Sequence, residues 1–84
     1  MNYTIGLKRS AEKELERLNS KTHDKIVKHL LALKDNPLPK GVKKLQGRDG
    51  YRMRVGDYRI LYEIDEAEKE IEIFSVAHPK EVYR

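Results

Sequence analysis

The sequence predicts an α+β fold, in which a pair of helices packs on one face of a mostly antiparallel sheet. Three observations support this: a short alternating stretch opens the chain, two helical stretches follow, and alternation dominates after residue 50. The order strand, helix, helix and then three or four strands is typical of domains that keep their helices on one side of a sheet. With 84 residues, the chain suffices for one small core, so we expect a single domain over residues 1–84.

Residues 51–64 carry the strongest pattern, which is that of a β-hairpin. Apolar and polar side chains alternate on both sides of Gly56-Asp57. Glycine at the first central position favours a type II′ turn, and a two-residue turn fixes the register of both strands. The predicted pairs are Val55–Tyr58, Arg54–Arg59, Met53–Ile60, Arg52–Leu61 and Tyr51–Tyr62.

This register places three arginines together on one face of the hairpin. Arg52, Arg54 and Arg59 alternate with the apolar side chains that form the opposite face. Like charges facing each other across a sheet are destabilising. A solvated charged face is one explanation, and the other is an anion bound between the guanidinium groups. Because the helices cover the apolar face, we expect the arginines to lie on an uncovered face.

The N-terminal half predicts the first strand and both helices. Residues 2–8 alternate as a strand, and Ser10 is placed to cap the first helix. Asn19-Ser20 interrupts the helical pattern and offers the cap of the second helix. That helix is expected to end at Asn36, because the residue before Pro37 avoids the helical region.

Residues 40–47 are expected to form either a short edge strand or an ordered loop. The stretch is rich in basic side chains, which are expected to face outward together with that of Arg48 in the following turn. These side chains are Lys40, Lys43, Lys44 and Arg48.

The last strand, residues 70–76, breaks the alternation. Ile71 and Ile73 point one way, whereas Phe74 and Val76 point the other way. Two interpretations remain open: a small apolar patch on the arginine-bearing face, or a strand buried on both sides. With Ile64 opposite Ile71, the expected pairs further along are Leu61–Phe74 and Arg59–Val76.

Charge is unevenly distributed along the chain. Residues 40–59 carry seven basic and two acidic groups, a net +5, whereas residues 60–84 carry three basic and seven acidic groups, a net −4. A concentrated basic block suits phosphate or an acidic protein partner. The absence of cysteine excludes disulfides and is compatible with an intracellular location. We expect no transmembrane segment, signal peptide or metal site, because no apolar run or ligand spacing indicates one.

The tail brings proton-transfer groups close to the last strand. His78, Lys80, Tyr83 and Arg84 supply an imidazole, an ammonium, a phenol and a guanidinium. Arginines neutralise a phosphate and its pentavalent transition state, while a histidine or tyrosine moves protons at a ribose 2′-OH. RNA cleavage without a metal needs only these groups. The alternatives are that His78 is an exposed loop histidine and that Tyr83 anchors the terminal segment.

Two motifs together resemble the RelE branch of the RelE/ParE toxin superfamily. They are the hairpin Tyr-Arg-Met-Arg-Val-Gly-Asp-Tyr-Arg-Ile-Leu-Tyr-Glu-Ile and the tail Val-Ala-His-Pro-Lys-Glu-Val-Tyr-Arg. The resemblance extends over nearly the whole chain. It implies a RelE-like domain and a ribosome-dependent endoribonuclease that cuts mRNA in the A site. It also implies a cytoplasmic toxin, with a cognate antitoxin and the ribosome as partners, and no cofactor.

The resemblance also implies roles for individual residues. Arg52 and Arg54 match the basic pair that grips the mRNA backbone, Arg59 matches the arginine of the Gly-x-Tyr-Arg turn, and Tyr83 matches the tail tyrosine. We expect Arg54, Arg59, His78 and Tyr83 to act in catalysis. The residues expected to contact RNA are Arg52, Lys43, Lys44, Arg48, Lys80 and Arg84.

One departure from the family pattern concerns the residue after the tail histidine. Many relatives have arginine there, whereas this chain has Pro79, and Lys80 supplies a point charge but no bidentate fork. Two other functions remain open. One is that of a ParE-like poison of DNA gyrase on the same fold, and the other is that of a non-catalytic binding module. The hairpin arginines and the tail favour the nuclease, because a gyrase poison needs no proton-transfer group there.

Overall fold

The computed structural model describes residues 2–78, which form two helices and a five-stranded sheet. The strand order across the sheet is β1-β5-β4-β3-β2; β1 runs parallel to β5, and the other neighbouring strands are antiparallel. The predicted α+β fold is therefore confirmed, with the N-terminal strand at one edge of the sheet. The elements are β1 (Thr4–Leu7), α1 (Arg9–Glu16), α2 (Ser20–Ala32), β2 (Lys43–Lys44), β3 (Tyr51–Val55), β4 (Tyr58–Asp65) and β5 (Glu70–Ala77).

The core lies between the helices and one face of the sheet, which we call the helix face. Its buried side chains come from both helices and from β3, β4 and β5. Among residues 2–78, neither helix has the length and apolar content needed to cross a membrane. The buried apolar residues are Ala11, Leu15, Ile26, Leu30, Leu33, Met53, Val55, Ile60, Tyr62, Ile71, Ile73 and Val76.

The two helices begin in different ways. The prediction that Ser10 caps α1 is wrong: Lys8 occupies the cap position without a side-chain bond. Ser10 lies inside the first turn, and its hydroxyl donates to the carbonyl of Phe74 at 3.4 Å. The predicted cap of α2 is confirmed, because the Asn19 side chain accepts from the Thr22 amide at 2.9 Å.

The second helix ends earlier than the sequence predicts. It closes at Ala32 instead of Asn36, although the chain continues in turns through Asp35. The cause is that the last turn tightens into the 3₁₀ pattern, in which each amide donates to the carbonyl three residues earlier; the Lys34 amide, for example, donates to the Leu31 carbonyl at 3.1 Å.

The central hairpin has the predicted register at every position. Gly56 adopts a φ of 60°, and Asp57 does not share a positive φ, as a type II′ turn requires. The observed partners are Tyr51–Tyr62, Arg52–Leu61, Met53–Ile60, Arg54–Arg59 and Val55–Tyr58.

A β-bulge in β5 decides between the two interpretations of the last strand: Leu61 and Phe74 lie on the arginine-bearing face as the apolar patch predicts, whereas Val76 does not. Ile64 faces Ile71 as predicted, but the register shifts at Leu61/Tyr62, so that Leu61 faces Ser75 and Arg59 faces Ala77. The expected pairs Leu61–Phe74 and Arg59–Val76 are therefore wrong. The extra residue, Phe74, reverses the alternation and lets Val76 join Ile71 and Ile73 on the helix face, where all three are buried. Val76 consequently adds nothing to the arginine-bearing face.

Helix α1 covers the part of β5 that β1 does not reach. The β1–β5 pairing ends at Leu7–Ile73, and beyond it α1 lies along β5. There the Glu14 side chain accepts from the Val76 amide at 2.8 Å, while Ser10 donates to the Phe74 carbonyl. Side chains of α1 therefore satisfy backbone groups that no strand pairs, and they hold the bulge in place.

We expect Glu14→Ala to lower the free energy of unfolding by about 1–3 kcal/mol, because it leaves the part-buried Val76 amide without a partner. Urea denaturation measures this change. Glu14→Gln keeps an acceptor oxygen and should recover most of the stability. Glu16→Ala is the matched control, since Glu16 is an exposed carboxylate of the same helix. An equal loss in Glu14→Ala and Glu16→Ala would contradict this role.

Tyr62 ties the sheet to the segment after α2. Its side chain is fully buried, and its hydroxyl donates to the Pro37 carbonyl at 2.7 Å. Burial, reinforced by the neighbouring Tyr51, raises the pKa of Tyr62 from 10.0 to about 12. The neutral phenol is thus favoured in the folded state.

This pKa predicts a loss of stability at alkaline pH. Below pH 10 the phenol is neutral in both states, so the stabilisation is complete; as the pH rises towards 12, the unfolded chain ionises first and stability is lost. The difference in unfolding free energy between wild type and Tyr62→Phe should therefore shrink over this range. A difference that stays constant with pH would contradict the expectation.

Candidate functional site

The sheet face opposite the helices carries the predicted arginine cluster, and we call it the arginine face. In one row across the sheet, Arg54 faces Arg59, which in turn faces Ala77. In the next row, Arg52 lies between Lys43 and Leu61. The hairpin turn and the strand register therefore place three guanidinium groups and one ammonium on a single surface.

Arg59 lies on β4, between Arg54 of β3 and Ala77 of β5. Its Nε atom is buried and has no hydrogen-bond partner among the described residues. None of Arg52, Arg54 and Arg59 forms an ion pair within residues 2–78. A buried donor without a partner is costly, and arginine binds phosphate in a bidentate manner. This arrangement is suited to an anion.

The two lysines of β2 point to opposite sides of the sheet. Lys43 pairs with Arg52 and so joins the arginine face, whereas Lys44 pairs with Tyr51. Both side chains are exposed on a two-residue edge strand. Of the two alternatives for residues 40–47, the structure has the edge strand, and only Lys43 is brought to the arginines.

Arg48 reaches the arginine face from the segment between β2 and β3. Its guanidinium carbon lies 4.1 Å from the centre of the Phe74 ring, and its Nη2 lies 3.8 Å from a carboxylate oxygen of Glu63. Phe74 is the residue that the bulge leaves on this face. Sequence reasoning assigned Arg48 to RNA contact because of its charge alone. Its contact with the Phe74 ring was missed, although the break in alternation at Phe74 indicated that this ring could lie on the arginine face.

His78 lies on the helix face, apart from Arg59. Its ring packs edge-on against Tyr58, with the ring centres 5.2 Å apart. Both residues line a cavity of about 310 Å³ together with Lys25 of α2. The expected pairing of Arg59 with Val76 would have put His78 on the arginine face, but the bulge shifts the register so that Ala77 faces Arg59 instead.

Three of the predicted site residues lie outside the described residues. They are Lys80, Tyr83 and Arg84, and their roles stay predictions, as does the effect of Pro79. Sequence reasoning also missed Glu14, whose bond to the Val76 amide supports the bulge and thus the position of Phe74. Only the tertiary contact between α1 and β5 reveals it.

The other end of the same sheet face is acidic. A groove of about 600 Å³ there is lined by Gly6 and by carboxylates of β4 and β5, including Glu63, Asp65, Glu70 and Glu72. These carboxylates repel a phosphate, so this groove is unsuited to an anionic ligand. No group of three or more histidine or acidic side chains that could hold a metal ion occurs among the described residues.

Sequence comparison identifies the family. Residues 5–83 match the model of the ParE toxin of type II toxin–antitoxin systems, parDE. The chain therefore belongs to this family, and so to the RelE/ParE superfamily of toxins that the two sequence motifs indicate. A search of curated proteins gave no match.

Solved structures of RelE proteins have the same fold. The RelBE2 toxin–antitoxin complex of Mycobacterium tuberculosis contains a chain that is 28% identical, with a TM-score of 0.82 over 93% of this chain and 99% of that one. The archaeal RelE–RelB complex of Pyrococcus horikoshii contains a chain that is 28% identical, with a TM-score of 0.83 over 93% of this chain and 96% of that one. A mutant of the E. coli toxin RelE in the free state is 26% identical, with a TM-score of 0.80 over 99% of this chain and 92% of that one.

Proposed function

We propose that this chain is the toxin of a toxin–antitoxin pair and acts in the cytoplasm as a metal-independent endoribonuclease that cleaves mRNA in the ribosomal A site. The observation that carries the proposal is the buried Nε of Arg59, which has no partner within residues 2–78 and lies beside two further arginines that form no ion pair in that range. The similarity to RelE structures supports the same assignment.

In the proposed reaction, the 2′-oxygen of a ribose attacks the adjacent phosphorus. Its proton passes to a base on the protein, the bond from phosphorus to the 5′-oxygen breaks, and that oxygen takes up a proton. The products are a 2′,3′-cyclic phosphate and a 5′-hydroxyl. Arg59 stabilises the charge on the pentavalent phosphorus, while Arg52 and Arg54 hold the flanking phosphates. Tyr83 is the first candidate for proton transfer, because His78 lies on the helix face.

The partners in this proposal are mRNA, the ribosome and a cognate antitoxin. The antitoxin would lay an apolar and acidic segment across or beside the arginine face, where the half-buried Leu61 and Phe74 adjoin arginines that form no ion pair within residues 2–78. The solved relatives include toxin–antitoxin complexes, which favours such a partner. The acidic end of the sheet would keep RNA away from β1 and so confine it to the hairpin end.

Primer extension on a translated mRNA tests the proposal. Cuts at regular codon positions, which appear only when ribosomes are present, would support it. The second candidate is poisoning of DNA gyrase, which the match to the ParE family model favours. Gyrase-linked DNA breaks without RNA cuts would replace the first function by the second. If neither RNA cuts nor gyrase-linked DNA breaks are found, the remaining function is that of a non-catalytic binding module.

We also expect RNA binding by the isolated protein to be weak and salt-dependent. Each phosphate that a cation neutralises contributes a slope of about −0.7 to the plot of log affinity against log salt. Arg52→Gln should therefore reduce the magnitude of the slope by about 0.7. Lys13→Gln is the control, because Lys13 is an exposed cation on α1. Fluorescence anisotropy measures the slope, and affinity that does not change with salt would argue against the arginine face.

A further inference from the structure

The bulge in β5 places an aromatic ring on the arginine face. Because Ile71, Ile73 and Val76 are all buried on the helix face, Phe74 is the residue that the shift in register forces to the other side. Phe74 is only half-buried there. An aromatic side chain that could have pointed into the core is thus kept on a polar surface.

The loop before β3 brings Arg48 over this ring. The Leu45 amide donates to the Gly50 carbonyl at 3.0 Å, which closes the loop at its base. Gly50 has a φ of 129°, and a β-carbon there would lie 3.0 Å from the Tyr62 carbonyl oxygen, so only glycine lets the loop approach β4 so closely. The loop therefore carries Arg48 across β4 to Phe74 on β5.

Two contacts hold the Arg48 guanidinium in place. The Phe74 ring lies under it at 4.1 Å, and the Glu63 carboxylate lies 3.8 Å from Nη2. The Arg48 side chain still exposes 54% of its surface. A planar cation supported from below and still open to solvent offers a flat surface, and nucleobases stack on guanidinium planes and aromatic rings.

This flat surface adjoins the proposed phosphate site. Phe74 lies next to Leu61 in the sheet, and Leu61 in turn faces Arg52. A single strand of RNA with its backbone on the arginines would therefore have a base within reach of Arg48. Because Glu63 partly neutralises Arg48, stacking suits this residue better than a phosphate contact does.

We propose that Arg48 and Phe74 form a stacking platform for one nucleobase of the bound RNA, next to the phosphates held by the hairpin arginines. This platform rests on the proposed function of the arginine face as an RNA site. Arg48 and Phe74 are then positioning residues: they fix the strand by a base, while the arginines fix it by phosphates. Stacking of this kind accepts any base, so the platform aligns the RNA without reading its sequence.

The test compares two RNA probes with equal numbers of phosphates. One is 2′-O-methyl hexaadenylate, and the other is the same backbone without bases; neither has a 2′-OH, so neither is cleaved. Fluorescence anisotropy at low salt gives both affinities, and a salt titration gives their salt dependence. The wild type should bind the base-bearing probe roughly tenfold more tightly than the abasic one.

Two variants separate stacking from charge, and a third serves as the control. Arg48→Lys keeps the charge but removes the plane, and Phe74→Leu keeps an apolar side chain but removes the ring. Both should reduce the preference for the base-bearing probe at least about threefold, while affinity for the abasic probe and the salt dependence stay nearly unchanged. Arg17→Lys is the control, because Arg17 is an exposed arginine at the end of α1. Thermal melting shows whether each variant is folded. If Phe74→Leu does not fold, the result for Arg48→Lys alone tests the platform.

The possible failures are distinguishable. Salt-dependent binding with the same base preference in wild type, Arg48→Lys and Phe74→Leu would overturn the platform alone. Equal affinity of the wild type for both probes would also overturn the platform, but the arginine face would remain an RNA site. No binding of either probe would overturn the RNA site and the platform with it.

Discussion

Replacing Arg59 by alanine is expected to lower single-turnover cleavage of mRNA on programmed ribosomes by about 10²–10³-fold. Its Nε is buried without a partner in the described part of the chain, and the residue lies between Arg54 and Ala77 on the arginine face. A charge fixed in this way stabilises the transition state more than the ground state, so ribosome binding should weaken much less than the rate.

Arg52→Ala provides the comparison for Arg59→Ala. Arg52 lies one row away from Arg59, between Lys43 and Leu61, where it is placed to hold a flanking phosphate. Its loss should act mainly through binding, so that raising the toxin concentration restores the rate. If Arg59→Ala is also rescued by concentration, Arg59 binds RNA but does not act in the transition state.

Tyr83→Phe should lower the same single-turnover rate by at least about 10²-fold, since a positioned acid or base contributes about 10²–10⁴. The substitution removes only the hydroxyl, so it separates proton transfer from stacking or packing of the ring. Ribosome binding measured in parallel should change little. Cleavage at the wild-type rate would exclude Tyr83 as the proton-transfer group.

His78→Ala tests the alternative assignment of the base. The His78 ring packs on Tyr58 beside α2, on the face opposite Arg59, so its loss should affect the rate much less than Tyr83→Phe does. The reverse order of effects would make His78 the base and would require it to reach the arginine face. If both variants cleave at the wild-type rate, catalysis rests on charge stabilisation and on positioning of the RNA by the ribosome.

The sequence predicts the hairpin best, because the information that fixes it is local. Gly56-Asp57 admits few turn types, and each strand alternates cleanly away from it, so the register and the arginine cluster follow directly. The cap at Asn19 is predictable for the same reason, since its partner Thr22 is three residues away.

The parts that sequence reasoning missed depend on contacts between distant residues. Local sequence rules favour Ser10 as a helix cap, but its hydroxyl donates to the Phe74 carbonyl of β5 instead. The broken alternation at Phe74 indicated an irregular strand, yet choosing a bulge requires knowing that Glu14 satisfies the Val76 amide 62 residues away. The face on which His78 lies follows from that bulge and could not be predicted without it.

The bulge at Phe74 also makes the end of β5 sensitive to chain length. With strict alternation, His78 would point to the arginine face; the single extra residue reverses the phase and sends it to the helix face. Deleting or inserting one residue here would leave residues 70–73 as they are, but it would exchange the faces of every described residue that follows. A change of one residue thus decides which face of the sheet receives the side chains of residues 75–78, and with them whether an imidazole lies beside the arginines.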